Sequence, residues 1–304
     1  MNRDPDVWSP LRLSTQARIG LGRSGNSLPS QRVLEFKAAH AAARDAVHVP
    51  FDADAMLDRI GQAGIGRPSL VYSNAGSRSE YLRRPDLGRT PADLTALTRT
   101  ADDIGFVLAD GLSPRALAEH GAGLLDALIM ELSPHFSIAP PVVAVQTRVA
   151  LGDHIGHALG VRTTIMLIGE RPGLSVADSL GIYLTHNPEP GRTDADRNCI
   201  SNIHPPDGLD YARAAKITAA LVAGARRLGR SGVALKDTSA EELAAAETLT
   251  RSSGYQPANP DGSCRPIDAC SNMPHPSAPL HAARATWSET PHGTRPLMAS
   301  DARS

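Results

Sequence analysis

Three short runs, Ile104–Ala109 (IGFVLA), Pro141–Val145 (PVVAV) and Thr163–Ile168 (TTIMLI), are nearly unbroken in apolar residues and lie well apart in the chain. Runs of this length without polar alternation predict strands buried on both faces, which is the habit of sheets covered by helices on either side. Ser69–Ser73 is a weaker strand candidate and Gly181–Thr185 a further one. Helix-like stretches fall between them. Ser113-Pro114 offers a cap and a first-turn proline for a helix carrying Leu117, Leu124, Leu125 and Leu128. Leu151–Gly160 is compact, and Tyr211 to Leu228 sets Ile217, Leu221 and Leu228 on one helical face. Strand, loop and helix in repeated order predict an α/β fold with a mainly parallel sheet and helices on both sides.

The remaining sequence divides into two flanks. Residues 1–30 are polar with glycine and proline, and predict a surface course. Val33, Phe36, His40, Ala43 and Val47 then recur at helical spacing, with Ser30 as the cap, until Pro50. Asp52 begins a second helix with Met56, Leu57 and Ile60, ended by Gly61 and Gly64. Past about Ala245 no period survives, and Pro, Ser, Gly and His accumulate. Such a stretch buries too little apolar surface to offset its ordering entropy. The expected organisation is an N-terminal extension and helical region (1–68), an α/β domain (69–245) and a disordered Pro-rich tail (246–304).

Composition narrows the function. The formal net charge of −1 gives no field that would gather nucleic acid or an acidic membrane. Three cysteines (Cys199, Cys264, Cys270) predict no disulfide framework, and an intracellular setting is expected. The first residues lack a secretory pattern, and no apolar run reaches the roughly 20 residues of a membrane span.

Several motifs carry chemistry, each with a plainer reading. Gly20-Leu21-Gly22-Arg23-Ser24-Gly25 satisfies the dinucleotide fingerprint, which would suit a free-standing nucleotide-binding oxidoreductase. That fingerprint requires a strand before it and a helix opening within it. Here Ser14–Arg18 is polar and the helix begins only after Pro29, so a surface loop is expected. The arginines of Tyr81–Arg89 (YLRRPDLGR) suit carboxylates, phosphates or a partner's acidic rim, or simply a solvated turn.

Gly169–Ser175 (GERPGLS) directly follows a strand, at the rim where open α/β sheets hold ligands. Glu170 can accept hydrogen bonds there, and Ser175 could cap a short helix through Ser179. Arg192–His204 follows another strand. Asp194, Asp196 and His204 match no standard metal spacing, and Cys199 has no securely placed base. No complete catalytic constellation appears, which points to a cofactor-holding subunit rather than a whole enzyme.

Six ordered blocks, ARIGLGRSG, YLRRPDLGR, ADGLS, RVALGDHIG, IGERPGLS and DRNCISNIH with the Tyr211 helix, resemble the small (light) subunit of ethanolamine ammonia-lyase from about Thr15 to Lys236. The resemblance implies a Rossmann-like part with a helical N-terminal part, closing over adenosylcobalamin against a TIM-barrel large subunit that holds the substrate. The expected assembly is six heterodimers, and the expected reaction converts ethanolamine to acetaldehyde and ammonia. It implies cobalamin contacts at Val149, Glu170 and Cys199, on three successive rim segments, with no catalytic residue and no protein metal ligand. Asp153-His154-Ile155-Gly156 lacks the D-x-H-x-x-G spacing by which other cobalamin proteins displace the cofactor's own base, so a base-on cofactor is expected. The implied location is cytoplasmic, or enclosed in a bacterial microcompartment, to which some relatives are directed by a longer N-terminus. A scaffold that keeps the fold without the cofactor is the remaining alternative.

Overall fold

The computed structural model describes residues 7–236. After a single turn, α1 (Ser9–Arg12), come α2 (Ser30–His48) and α3 (Ala53–Ile60), then β1 (Ser69–Tyr72), α4 (Arg78–Arg83) and β2 (Ile104–Ala109). They are followed by α5 (Pro114–Leu132), β3 (Val142–Val145), α6 (Leu151–Leu159), β4 (Thr163–Gly169), β5 (Leu180–His186), β6 (Asn198–Ile203) and α7 (Tyr211–Leu228). The caps follow local chemistry. Side chains of Asp52, Ser113 and Asp210 accept from backbone N–H groups of the first turns of α3, α5 and α7, and α6 and α7 end on the left-handed glycines Gly160 and Gly229. Pro29, not Ser30, occupies the cap position of α2, and Ser30 is its first helical residue.

One six-stranded sheet carries the order β1-β3-β2-β4-β5-β6. The first four of these run parallel, while β5 is antiparallel to both β4 and β6. The sheet is therefore mixed: three of its five pairings are parallel, in keeping with a mainly parallel expectation, but the reversed β5 departs from an all-parallel sheet. The reversal has a local cause: β4, β5 and β6 are joined by loops with no helix long enough to cross over a face, so each strand returns beside its predecessor. β6 itself lies within Arg192–His204, where no strand is expected from the sequence. Residues 175–179, expected as a short helix, contain none. The tail expected at 246–304 lies outside the described residues.

Alternate residues of each central strand serve opposite cores, as the pleat requires. Phe106, Leu108, Val143, Ile165, Leu167, Ile182 and Leu184 face α3, α5 and α7, meeting Met56, Ile60, Leu124, Leu125 and Leu221. Val107, Ala109, Val142, Ala144, Met166 and Ile168 face α6, meeting Leu151, Ile155 and Leu159. In α2 the apolar spacing does not translate into burial: Ala46 alone is buried, and Leu34 and Phe36 are 65% and 47% exposed. No helix among the described residues is long and apolar enough to cross a membrane.

Leu125 is fully enclosed in the larger core whereas Met130, five residues along the same helix, is 78% exposed. Leu125→Ala is expected to lower unfolding free energy by about 2–5 kcal/mol through lost burial and a residual cavity. Met130→Ala should stay within about 0.5 kcal/mol. Urea denaturation of the two variants checks the contrast.

Candidate functional site

The connection after β2 enters α5 on one side of the sheet, and the connection after the adjacent β3 enters α6 on the other. Where neighbouring parallel strands send their chains to opposite faces, a crevice opens at their carboxyl ends, and ligands of α/β sheets bind there. Asp110, the residue after β2, sits in that gap and is 1% exposed. Its carboxylate accepts from the backbone N–H groups of Gln146 and Thr147, each at 3.0 Å, and faces the Arg78 guanidinium at 3.4 Å. Arg78 also donates to the carbonyls of Gly111 (2.7 Å) and Val47 (2.8 Å), fastening α4 and the end of α2 to the crevice.

Gln146 is held at φ +57°, a left-handed conformation that costs a non-glycine residue about 1–2 kcal/mol. Two anchors hold it there: its N–H on Asp110, and its carbonyl, which accepts from the Ser73 hydroxyl at 2.7 Å. The result turns the chain so that Arg148 and Val149 emerge above the sheet. Gly111, at φ +53°, lies so close to the Gly169 backbone that any side chain would collide with it.

Tyr81 forms the floor beside this turn. It is fully buried, donates to the Thr147 carbonyl at 2.9 Å, and has the guanidinium carbons of Arg78 and Arg148 at 4.9 and 4.6 Å from its ring centroid. Gly88 fits against both Tyr81 and Arg148, and its carbonyl accepts from the Arg148 N–H. The YLRRPDLGR segment is therefore a structural wall of the crevice and not only a solvated turn.

Above this wall lies a hollow of about 300 Å3 lined by Tyr81, Arg148, Val149, Glu170 and Tyr183, among others. Val149 and Glu170, expected from sequence as ligand contacts, are thus brought together. The Glu170 carboxylate accepts through Oε2 from the Ser179 hydroxyl (2.8 Å) and the Asn202 N–H (3.2 Å). Oε1 has no hydrogen-bond donor among the described residues, and Gly181 leaves the space it occupies.

Cys199 is placed differently from the expectation. It is the second residue of β6, whose carboxyl end at Ile203 reaches the rim, so Cys199 lies on the sheet surface away from it. There it is exposed, pairs across the strands with Tyr183, and has its thiol 3.2 Å from the Ser201 hydroxyl. Directly opposed residues of antiparallel strands point to the same face. Tyr183, a wall of the hollow, therefore connects Cys199 to Val149 and Glu170. Burial first, and then the neighbouring Cys199 thiol, push the Tyr183 hydroxyl pKa up, so it is a neutral donor at physiological pH.

Asp194, Asp196 and His204 are not assembled into one group. Asp194 pairs with Arg197 (3.0 Å), Asp196 accepts from the Thr193 N–H and hydroxyl (both 2.8 Å), and His204 bonds Asn202 (2.8 Å). The one cluster of metal-capable side chains among the described residues is Glu119, His120 and Asp178. Arg115 already contacts both of its carboxylates, at 3.3 and 3.4 Å. The Gly20–Gly25 segment has no strand before it and opens no helix, and Gly20 packs against Trp8. The context that a dinucleotide fingerprint needs is missing.

The ADGLS turn is visible in the sequence, but nothing local there distinguishes Asp110, Arg78, Arg148 or Tyr183. The turn itself was the available signal, an acid directly after a buried strand.

Burial raises the Asp110 pKa to about 6, against the opposing pull of Arg78 and the backbone N–H donors. A carboxyl whose folded pKa exceeds its unfolded one of about 3.9 contributes stability that is full below pH ~4 and lost as pH rises through ~6. The melting temperature of the wild-type chain minus that of Asp110→Asn should therefore fall as pH is raised across that window. A flat difference would show that the carboxyl titrates normally.

A family model described as the ethanolamine ammonia-lyase light chain matches residues 5–236. Curated relatives named ethanolamine ammonia-lyase small subunit agree with it. The protein from Rhodococcus erythropolis is 65% identical over 246 residues, covering 81% of this chain and 96% of its own length. That of Xanthomonas campestris pv. campestris is 46% identical over 256 residues, covering 81% and 93%. That of Azotobacter vinelandii is 48% identical over 240 residues, covering 76% and 88%. The rim, its arginine wall and the alternating cores all lie within the matched span, and the chain belongs to the ethanolamine ammonia-lyase small (light) subunit family.

Proposed function

We propose that the chain holds adenosylcobalamin, through Val149, Glu170 and Cys199, at an interface with a TIM-barrel large subunit of ethanolamine ammonia-lyase. The complex converts ethanolamine to acetaldehyde and ammonia. The observation that carries this reading is Glu170, which lines the hollow: one carboxylate oxygen is fixed by Ser179 and Asn202, and the other has no donor among the described residues. Corrin edges bear several amide side chains, and a carboxylate oxygen lacking a donor is a fitting acceptor for an amide N–H. Tyr183, kept neutral, offers a hydroxyl beside it, and Val149 offers an apolar surface and its backbone. The donor set thus fits the group.

When bound, the cofactor supplies the radical that drives the rearrangement. The chain's own residues position the corrin and exclude water from one of its sides. A corrin is broader than the hollow of about 300 Å3, so a second surface must complete the enclosure, which accords with a small subunit working beside a large one. Six heterodimers form the assembly we expect, in the cytoplasm or inside a bacterial microcompartment. The cofactor keeps its own base, since His154 follows Asp153 directly and the displacing motif is not formed.

Two measurements test the reading. The full chain alone should not turn over ethanolamine, and activity should appear only with the large subunit and adenosylcobalamin. Turnover by the isolated chain would overturn the proposal. In the assembled complex, Glu170→Ala should weaken cobalamin binding about 10- to 100-fold, the loss of a charge-assisted hydrogen bond, with little change in melting temperature. Indifference of affinity to this change would favour a scaffold that has kept the fold without the cofactor.

A further inference from the structure

Beyond Val149 the rim continues into a second hollow, of about 420 Å3, and the two share Arg148, Val149 and Tyr183. Arg89, Arg148, Arg192 and Arg197 all line it, against a single carboxylate, Asp194. Their charges are unequally compensated. Arg197, with its side chain 2% exposed, pairs with Asp153 and Asp194 and donates to the Arg192 carbonyl at 3.0 Å, yet its Nε is buried without an acceptor. Arg192 donates to the Asn187 carbonyl and lies 3.7 Å from Glu189. Arg148 is stacked on Tyr81 and its Nε is likewise buried without an acceptor. Neither Arg148 nor Arg89 has an ion pair among the described residues.

Buried N–H donors without acceptors and cations without counter-ions are costly, and an entering oxyanion relieves both costs. The four guanidinium groups come from three separate segments, so their forks approach from different directions. That arrangement suits a phosphate, with its tetrahedral set of acceptor oxygens, better than a planar carboxylate.

We propose that this hollow is a phosphate-binding subsite, with Arg89 and Arg148 as the principal contacts and Arg192 and Arg197 as the opposite wall. Resting on the cobalamin reading, the phosphate is the phosphodiester of the cofactor's nucleotide loop, which hangs from the corrin edge. Free phosphate is the other source of the same chemistry.

The test uses the full chain assembled with its large subunit, and compares cyanocobalamin with dicyanocobinamide, which lacks both the phosphate and the base. A parallel arm follows the 31P line width of inorganic phosphate. Arg89→Gln/Arg192→Gln, at two arginines that line the second hollow and not the first, should weaken cyanocobalamin about tenfold, leave dicyanocobinamide within about twofold, and abolish the phosphate broadening seen with wild-type protein. Arg89→Gln alone, at an exposed position, should show a smaller loss in the same direction, which guards against misfolding of the double variant. Loss of phosphate broadening with both corrinoids unaffected assigns the subsite to free phosphate. Equal losses for the two corrinoids, or no phosphate broadening by the wild-type complex, would overturn the proposal. Failure of wild type to bind either corrinoid would sink the cofactor reading alone, and the 31P arm would still decide the subsite.

Discussion

The rim is organised around one buried carboxylate. Asp110 sits where β2 and β3 send their chains to opposite faces, and it closes the gap from below by accepting two backbone N–H groups and facing one arginine. Without those bonds the left-handed turn at Gln146 has no anchor, and Arg148 and Val149 have no fixed direction. Arg78 extends the same knot to α4 and α2, so helices remote in sequence converge on a single ion pair. Arg78 would be an unpaired buried cation if Asp110 were lost, and breaking such a pair is more damaging than never having formed it.

Much of the scaffold is legible in the sequence because its signals are local. Unbroken apolar runs mark β2, β3 and β4, the Ser-Pro and Asp caps mark α5 and α3, and one apolar face marks α7. β6 is not legible, for a physical reason. It is an edge strand whose apolar residues are only Ile200 and Ile203, with Asn198, Ser201 and Asn202 exposed or half-exposed and Asn202 at φ +64°. A bulge against β5 removes the two-residue period that would have marked it. The site was legible only where a residue follows directly on a strong strand, as Glu170 does after β4. Asp110 also follows one, but its meaning depends on β3 lying alongside β2, which no local pattern encodes. Tyr183 reads from sequence as one more residue of a buried strand, and only the folded sheet brings it to the wall of the hollow.

The polar groups of the rim are held in fixed places. Glu170 is fixed by two donors, Tyr183 is kept neutral by its surroundings, and Arg148 is stacked on Tyr81. Under the proposed function, rigid donors and acceptors of this kind would position a group whose reactivity is its own, and preorganisation of that sort is what a protein contributes in cofactor chemistry. The buried pair of Asp153 and Arg197 serves the same end, joining α6 to the residue that leads into β6.

The reversal of the sheet at β5 also bears on how the chain reaches its native state. β4, β5 and β6 are consecutive in sequence and adjacent in space, so closing them requires only short loops. The parallel pairs β1 with β3 and β2 with β4 join segments separated by whole helices. Loop-closure entropy makes such distant pairings the slower ones. The closure cost is thus lowest at the antiparallel end and higher at the parallel pairs that frame the Asp110 knot.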